Sequence, residues 1–358
     1  MFSITSAVTF IVVLGVLVGI HEFGHYIVAR MCGIQVETFS LGFGPKIFSK
    51  KIGPTEYCIS IIPLGGYVRM LGDDPNEEIP EEERARSFLS QPVRKKIAVV
   101  VAGPAFNLLL AFVIFWGVFM VGLPVLSPVV GEIQEDSAAK QAGLQTEDRV
   151  LSIEGKAITE WEEIRSTLQE KGGGTLNFVI ERSGDQLELE ITPKKKESTN
   201  VFGDPETLWL IGILPEGEQF TRRYNPATAL YLGAERTIDM TVLNVVGIMK
   251  MIQGKISSDN IGGPILIAQI AGQQASQGFL NIVLFVAVLS INLGIINLFP
   301  IPILDGGHLV FFIIEGIIGR PLSIKKREIA QQVGLFLIVS LMVFAFYNDI
   351  MRFFVKPG

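Results

Sequence analysis

Two histidines and a glutamate lie close together near the start of the sequence, in the segment His21–His25 with the letters HEFGH. Residues four apart on a helix share one face, one turn from each other, so both imidazoles can reach a single divalent cation. Glu22 lies one residue further round and can reach a water molecule at that cation. The spacing therefore predicts a hydrolytic zinc site. The alternative is a histidine pair that caps a membrane helix at the interface, with Glu22 in a local hydrogen bond.

The apolar setting of this segment favours the metal. The run Ile4–Ile20 contains no charged residue, and two of the three histidines of the chain follow it directly. An ionisable cluster at membrane depth costs free energy unless its members are paired or bind a metal. The whole chain is also apolar, since 49% of its residues are hydrophobic and 18% are charged, and its mean hydropathy is +0.43. We therefore predict an integral membrane protein.

Four apolar runs are long enough to cross a bilayer, which takes about 20 residues. They cover, approximately, residues 4–31, 97–123, 280–299 and 333–354. Nine lysines and arginines lie between the first two runs, from Lys46 to Lys96, and four lie between the last two, from Arg320 to Arg327. Because basic loops face the cytoplasm, we expect both termini, and the stretch between the second and third runs, on the outside. This orientation puts His21 near the cytoplasmic side.

The segment Phe39–Val68 alternates apolar with small or polar residues around Gly-Pro turns, a pattern typical of β-hairpins. It includes the triplet Gly42, Phe43 and Gly44. Non-helical backbone lies at membrane depth only where protein or a wet cavity covers it. We therefore expect a small sheet that lines the approach to the metal. A cytoplasmic hairpin that only links two spans would have the same spacing.

Small residues open the second span, in the segment Ala102–Asn107 with the letters AGPAFN. Small residues let helices approach closely, and an asparagine can form a hydrogen bond across a helix bundle. We therefore interpret Gly103, Pro104 and Asn107 as packing residues beside the first helix. A position of Asn107 near the metal is the alternative.

One long soluble stretch lies between the second and third spans. A strand at 129–133, a small-residue turn at 137–144 and a strand pair in 149–158 precede an amphipathic helix at 160–170 and a hairpin at 176–192. With the segments SAA, AGL and DRV, this order resembles a single PDZ domain of the bacterial, circularly permuted kind. PDZ domains add a peptide as a strand to a sheet edge. Here the groove would lie between the first strand and the helix, and it either binds peptide or acts only as a size filter.

A second polar cluster ends the third span, in the segment Asn297–His308 with the letters NLFPIPILDGGH. Pro300 and Pro302 break the helix and free backbone groups. Asp305 offers an oxygen as the third protein ligand that a catalytic zinc needs, with the fourth position left for water. The first span descends toward His21 and the third toward Asp305, so the orientation puts both motifs at a similar depth.

These motifs together resemble the site-2 protease family, the M50-type intramembrane zinc metalloproteases, and in particular its bacterial RseP-type members. The resemblance covers nearly the whole chain. It implies one zinc ion bound by His21, His25 and Asp305, and a general base, Glu22, that moves a proton from the attacking water to the leaving amine. It also implies a substrate-binding set that consists of Asn297, Pro300, Pro302, Gly42, Phe43 and Gly44. His308 is an alternative ligand, which the family pattern does not favour.

The expected fold class is a polytopic α-helical membrane protein with about four transmembrane helices, a membrane-associated β-hairpin sheet and an inserted α+β PDZ domain. Its expected parts are an N-terminal membrane part (1–123), the PDZ domain (124–194), a linker with amphipathic interfacial helices (195–278) and a C-terminal membrane part (279–358). RseP-type proteins often carry two tandem PDZ domains, and this chain has room for one.

The activity that the resemblance implies is cleavage of the transmembrane segments of single-span membrane proteins in a bacterial inner membrane. The substrates would be anti-sigma factors or remnant signal peptides, first shortened by a site-1 protease, and the other partners would be membrane lipid and a peptide docked at the PDZ domain. The net charge of −6, without a long basic block, gives no indication of nucleic acid. A catalytically silent membrane PDZ scaffold is the alternative, which the intact Glu22 and complete ligand set argue against. A transporter would be expected to show internal repeats, and the sequence shows none.

Overall fold

The fold comes from a computed structural model that describes residues 4–200 and 202–354. The chain divides into two compact units, and each is considered by itself. The first unit comprises Met1–Gly117, Leu230–Met249 and Ser257–Gly358, and the second comprises Val118–Ala229 and Lys250–Ile256.

The described part of the chain forms nine α-helices. In chain order these are α1 (Ile4–Met31), α2 (Val93–Val121), α3 (Ala138–Gln141), α4 (Trp161–Lys171), α5 (Pro226–Ile252), α6 (Pro264–Gln277), α7 (Phe279–Asn297), α8 (Asp305–Ile318) and α9 (Ile324–Phe354). Short 3₁₀ turns cover Glu81–Arg86 and Ser258–Asn260.

The strands of the described residues form several small sheets. They are β1 (Val36–Ile52), β2 (Thr55–Met70), β3 (Leu123–Leu126), β4 (Val130–Ile133), β5 (Arg149–Ile153), β6 (Lys156–Ala157), β7 (Leu176–Arg182), β8 (Asp185–Ile191), β9 (Lys194–Thr199), β10 (Pro205–Leu210), β11 (Ile213–Pro215) and β12 (Gln219–Arg222). Strands β1 and β2 belong to the first unit and the others to the second.

Four helices of the described residues are long and apolar enough to cross a membrane, namely α1, α2, α7 and most of α9. The predicted membrane protein with four candidate spans is confirmed. The helices extend beyond the apolar runs at their basic ends. Helix α2 begins at Val93 rather than near Ile97, and α9 begins at Ile324 rather than near Val333. A hydropathy pattern omits such polar first turns because their lysines and arginines lower the average.

Helix α8 was not predicted, since Pro300 and Pro302 were expected only to break the helix before it. The structure starts a helix directly at Asp305. A Cβ atom on Gly306 would lie 2.2 Å from the Phe299 carbonyl oxygen, and one on Gly307 would lie 2.4 Å from that of Ile301. The two glycines therefore let the first turn of α8 pack directly on the preceding proline loop.

Helix α6 is held at its N-terminus by a carboxylate from α9. Asp349, which is buried, accepts hydrogen bonds from the backbone N–H groups of Gly263 (2.9 Å), Ile265 (3.0 Å) and Leu266 (3.2 Å). A negative charge at this end satisfies unpaired donors and complements the helix dipole. The carboxylate thereby fixes α6 against the C-terminal part of α9.

The second unit has one apolar core beneath a four-stranded sheet of order β6-β5-β7-β8. Beyond residue 194, where we expected a linker, the chain returns to this unit as four more strands. Strand β11 pairs with β4, and β12 pairs with β3. The sequence of β9, with the letters KKKEST, has no apolar alternation, which is why no strand was predicted there.

Strand β4, the strand that we expected to border a peptide groove, forms a two-stranded sheet with β11. Strand β4 pairs with β11 along one edge, and on the other edge Val130 bonds to the backbone of Glu147 and Asp148. Helix α4 faces a different strand, because the Gln169 amide bonds both the N–H and the carbonyl of Trp209 in β10. The returning segment therefore supplies the neighbour of α4.

An ion pair between a buried aspartate and a partly exposed arginine ties the second unit together. Asp148, which is 0% exposed, accepts bonds at 2.7 Å from Arg182 Nε and at 2.7 Å from Arg182 Nη2. Hydrogen bonding to this carboxylate raises the pKa of Arg182 above its ordinary value. The Gln145 backbone N–H is a further donor to Asp148.

We expect Arg182→Met to lower the free energy of unfolding by about 1–3 kcal/mol, because it leaves the buried Asp148 carboxylate without its cation and with one backbone donor. The thermal unfolding midpoint of the full chain in detergent, followed by tryptophan fluorescence, is the measurement. Lys156→Met is the matched control, since it removes an exposed ion pair with Glu170, which contributes at most about 1 kcal/mol. Equal midpoints for the two variants would contradict this account.

Candidate metal centre

The two histidines of the HEFGH segment lie on one face of α1, and their Nε2 atoms are 3.2 Å apart. Both side chains are buried. Their other ring nitrogens contact α2, where His25 Nδ1 lies 2.8 Å from the Val99 carbonyl oxygen and His21 Nδ1 lies 3.1 Å from the Asn107 amide. Helix α2 thus orients both rings.

These contacts fix which nitrogen is available for a cation. His25 Nδ1 donates its proton to the Val99 carbonyl, so Nε2 keeps its lone pair. Asn107 is 0% exposed, and its Oδ1 atom has no hydrogen-bond partner among the described residues. The two ends of an amide have nearly the same shape. With its oxygen turned to His21, Asn107 accepts the Nδ1 proton and leaves Nε2 of that ring unprotonated as well.

Asp305, the first residue of α8, completes the cluster. Its Oδ2 atom lies 3.0 Å from His21 Nε2 and 3.4 Å from His25 Nε2. This oxygen is buried and has no hydrogen-bond partner in the part of the chain that is described. The donor atoms of the three residues all lie within 4.8 Å of one another. Two imidazole nitrogens and one carboxylate oxygen are a donor set that suits a catalytic zinc.

His308, the alternative ligand, lines the same cavity but is not one of these three donors. It lies one turn after Asp305 on α8, and its ring contacts Phe311 with a centroid distance of 6.2 Å. The geometry supports Asp305 over His308 as the third ligand, and that assignment remains a prediction.

Glycines bring α1 and α2 unusually close at this point. A Cβ atom on Gly24 would lie 2.5 Å from the Ala102 carbonyl oxygen. A Cβ atom on Gly103 would lie 2.3 Å from His25 Nε2 and 2.7 Å from His21 Nε2. We predicted Gly103 only as a packing residue, and the structure puts it directly against the two donor nitrogens.

A cavity of about 480 Å³ opens beside the three donors. Glu22 lies in its wall next to the histidines, and Asn297 lines it from the end of α7. Of the other expected substrate-binding residues, Phe43 lines the cavity, whereas Gly42, Gly44, Pro300 and Pro302 are not among its lining residues. Pro302 instead packs on α9, where a Cβ atom added to Gly334 would lie 3.2 Å from Pro302 Cδ.

The predicted hairpin forms a twice-folded sheet whose edge faces this cavity. The start of β1, Val36–Leu41, pairs on one side with the end of β2, Gly66–Met70, and on the other side with the start of β2. The start of β2 pairs in turn with the end of β1. Segment Gly66–Met70 is therefore an edge strand, and four of its residues line the cavity, namely Gly66, Tyr67, Val68 and Met70. Phe43 stacks on Tyr67 with a centroid distance of 6.1 Å and an interplanar angle of 9°.

Comparison with known sequences identifies the family. The sequence model of peptidase family M50 matches residues 9–341. A protein from Agrobacterium fabrum with the name "Putative zinc metalloprotease Atu1380" is 39% identical over 360 residues, which cover 96% of this chain and 95% of that protein. The regulator of sigma-E protease RseP from Escherichia coli is 32% identical over 447 aligned positions, which cover 96% of this chain and 98% of RseP. The chain therefore belongs to peptidase family M50, the site-2 proteases.

The family membership confirms the resemblance, and it makes the chain a zinc metalloprotease. The zinc cofactor that the sequence predicted is confirmed at the level of the family, and the three donors described above fit it. Four apolar helices together with relatives of this kind fit a bacterial inner-membrane protein. The alternatives of a silent scaffold and a transporter do not account for these similarities.

Several features of the site were not predicted. They are the contact of the Val99 carbonyl with His25, the position of Gly103 against both donor nitrogens and the edge strand Gly66–Met70. The alternation of the hairpin indicated strands. It did not indicate which strand forms the edge, because that depends on how the two halves of β1 and the two halves of β2 pair with one another. The sequence signal for Asn107 was its presence in an apolar span, and the structure puts it on His21.

Proposed function

We propose that the chain is an intramembrane endopeptidase that cuts the transmembrane segments of single-span membrane proteins. The observation that carries this proposal is where the three convergent donors lie. His21 and His25 are on α1, which is long and apolar enough to span a membrane, and Asp305 begins α8, the helix that follows the α7 span. A protease site at this depth meets substrates that are themselves in the bilayer.

In the proposed mechanism His21, His25 and Asp305 hold the zinc. Zinc bound there supplies Lewis-acid chemistry, which activates water and polarises the scissile carbonyl. Glu22 is the general base that takes a proton from the attacking water and delivers it to the nitrogen of the leaving amine. The buried histidines stay oriented through Val99 and Asn107.

The proposed seat of the substrate is the edge strand Gly66–Met70 together with Asn297. A helical substrate hides its amides, so cleavage requires local unwinding. Pairing with a free sheet edge replaces the hydrogen bonds that unwinding removes. We propose that Asn297 binds the unwound segment and that Phe43 shapes the seat through its stack on Tyr67. The remaining expected residues would shape the seat from outside the cavity wall, namely Gly42, Gly44, Pro300 and Pro302.

The second unit is, in this proposal, a single PDZ domain outside the membrane that docks substrates or excludes those with a large outer part. Both termini would also lie outside, with the zinc nearer the cytoplasmic side, as the basic loops predict. Substrates such as anti-sigma factors or remnant signal peptides would then need to be shortened by a site-1 protease. We propose that the second part, expected at 124–194, extends to residue 222, because strands β9 to β12 return to this unit. The linker then begins at residue 223 rather than 195, and the parts 1–123 and 279–358 are unchanged.

The test is cleavage by the purified chain in liposomes of one single-span substrate in two forms, intact and with its outer domain removed. We expect cleavage inside the transmembrane segment, faster for the shortened form. Removal of metal with a chelator should stop the reaction, and added zinc should restore it. Cleavage only in soluble loops would contradict the proposal that the substrate is cut inside the membrane. Equal cleavage rates for both forms would contradict a size filter.

Addition of the substrate as a strand makes a periodic prediction. In a background with Cys32→Ser and Cys58→Ser, Val68→Cys is combined with single cysteines placed along the substrate segment. We expect disulfide yields to alternate with a period of two residues, because the side chains of a strand point to alternate faces. A period near 3.6 residues would show a helical substrate at this edge and contradict the proposed pairing.

A further inference from the structure

A buried cluster of three charged side chains joins α2, α8 and α9. Lys96 of α2 is 2% exposed, and its Nζ atom lies 2.5 Å from Glu315 Oε1. Arg327 of α9 approaches the other oxygen, with Nη2 3.4 Å from Glu315 Oε2. Both cations also lie over the ring of Phe312, with Lys96 Nζ 5.1 Å and Arg327 Cζ 6.0 Å from its centroid.

Stability alone gives a weak reason for this cluster. Desolvation of two ions often costs as much as their attraction returns, so an apolar replacement of similar volume can be as stable. Here one carboxylate serves two cations, which repel each other. Such a pair does fix the geometry between α2 and α8, the helices that carry it. Among the described residues, Arg327 is the only other charged residue that contacts Lys96 or Glu315. If the two helices moved apart, Lys96 would therefore be left buried without a charged partner.

The pair connects α8, which carries the donor Asp305, to α2, which orients the two donor histidines of α1. Lys96 lies one turn before Val99, whose carbonyl orients His25, and on the same helix as Asn107, which contacts His21. Glu315 lies on the continuous helix α8 that begins with Asp305. A shift of α8 relative to α2 therefore moves the Asp305 carboxylate relative to both imidazoles.

We propose that Lys96 and Glu315 are positioning residues for the metal centre, which set the distance of Asp305 from the two histidines by fixing α8 on α2. Arg327 completes the contact by holding the second oxygen of Glu315. This inference rests on the proposed zinc ligands His21, His25 and Asp305. It adds a role for two residues that touch neither metal nor substrate.

The test compares zinc affinity, Co²⁺ absorption and thermal unfolding for Lys96→Met, Glu315→Gln and the double variant, using the full chain in detergent at a temperature where every variant is folded. Loss of such a supporting contact is expected to raise the zinc dissociation constant about 10-fold. The double variant should lose no more than either single variant, because both act through one contact. The Co²⁺ spectrum should change, since it reports ligand geometry. With a fixed substrate, kcat should fall while KM stays unchanged.

Arg94→Met and Glu328→Gln are the matched controls, because both residues are exposed on the same two helices, α2 and α9, that carry the cations. They should bind zinc as the wild type does. The inference is overturned if the cluster variants are folded and keep the wild-type zinc dissociation constant and Co²⁺ spectrum, or if they lose only thermal stability. Absence of zinc from the wild type itself would instead overturn the proposed ligand set, so the two failures are distinguishable.

Discussion

Glu22→Gln is expected to lower kcat for cleavage by about 10²–10⁴-fold, the usual contribution of a positioned general base. Glutamine has the size of glutamate but cannot accept the proton of the attacking water. Glu22 is not one of the three donors within 4.8 Å of one another, so zinc should remain near one ion per chain. The measurement is single-turnover cleavage of a shortened single-span substrate, with the metal content of the same preparation.

Two further variants sharpen this experiment. Glu22→Asp keeps the carboxylate but withdraws it by one methylene group, so its rate should fall between those of the wild type and Glu22→Gln. His25→Ala should lose zinc and activity together, because it removes a donor nitrogen. A variant Glu22→Gln that cleaves at the wild-type rate with zinc present would require a different base, and one that loses zinc would make Glu22 part of the metal site.

The sequence predicted those parts of the site whose chemistry is local. His21, Glu22 and His25 lie within one helical turn, so their spacing alone determines that they share a face. Asp305 is distant in the chain. It was predicted as the third ligand from its carboxylate chemistry, from the similar depth expected for the two motifs and from the resemblance to the site-2 proteases. In the structure its Oδ2 atom lies 3.0 Å from His21 Nε2.

The contacts between helices could not be predicted in the same way. Whether Gly103 faces the histidines or a neighbouring helix depends on the rotation of α2 about its own axis, and a nearly all-apolar helix has no polar face to reveal that rotation. The pairing of Lys96 with Glu315, which are 219 residues apart, depends on the same rotation of two helices. Strand β9 escaped prediction because its sequence has no apolar alternation. Strands β11 and β12 escaped it because their partners, β4 and β3, are distant in the chain.

Gly103→Ala is expected to raise the zinc dissociation constant by at least about 100-fold, the upper range for changes around metal ligands. The added Cβ would lie 2.3 Å from His25 Nε2 and 2.7 Å from His21 Nε2, well inside van der Waals contact. Either the donor nitrogens move, or α2 retreats and withdraws the Val99 carbonyl and the Asn107 amide from the two rings. Both responses disturb the zinc ligands. Equilibrium competition with a chelator of known affinity measures the effect.

The matched control is Gly117→Ala on the same helix, where an added Cβ meets nothing within 4 Å. Both substitutions gain about 0.5–1 kcal/mol from the helix preference of alanine over glycine, so this term cancels in the comparison. Gly117→Ala should therefore be slightly more stable than the wild type with unchanged zinc affinity. If Gly103→Ala also binds zinc normally, the donor nitrogens must be free to move away from α2, and the orientation of the histidines by Val99 and Asn107 would no longer explain their affinity for the metal.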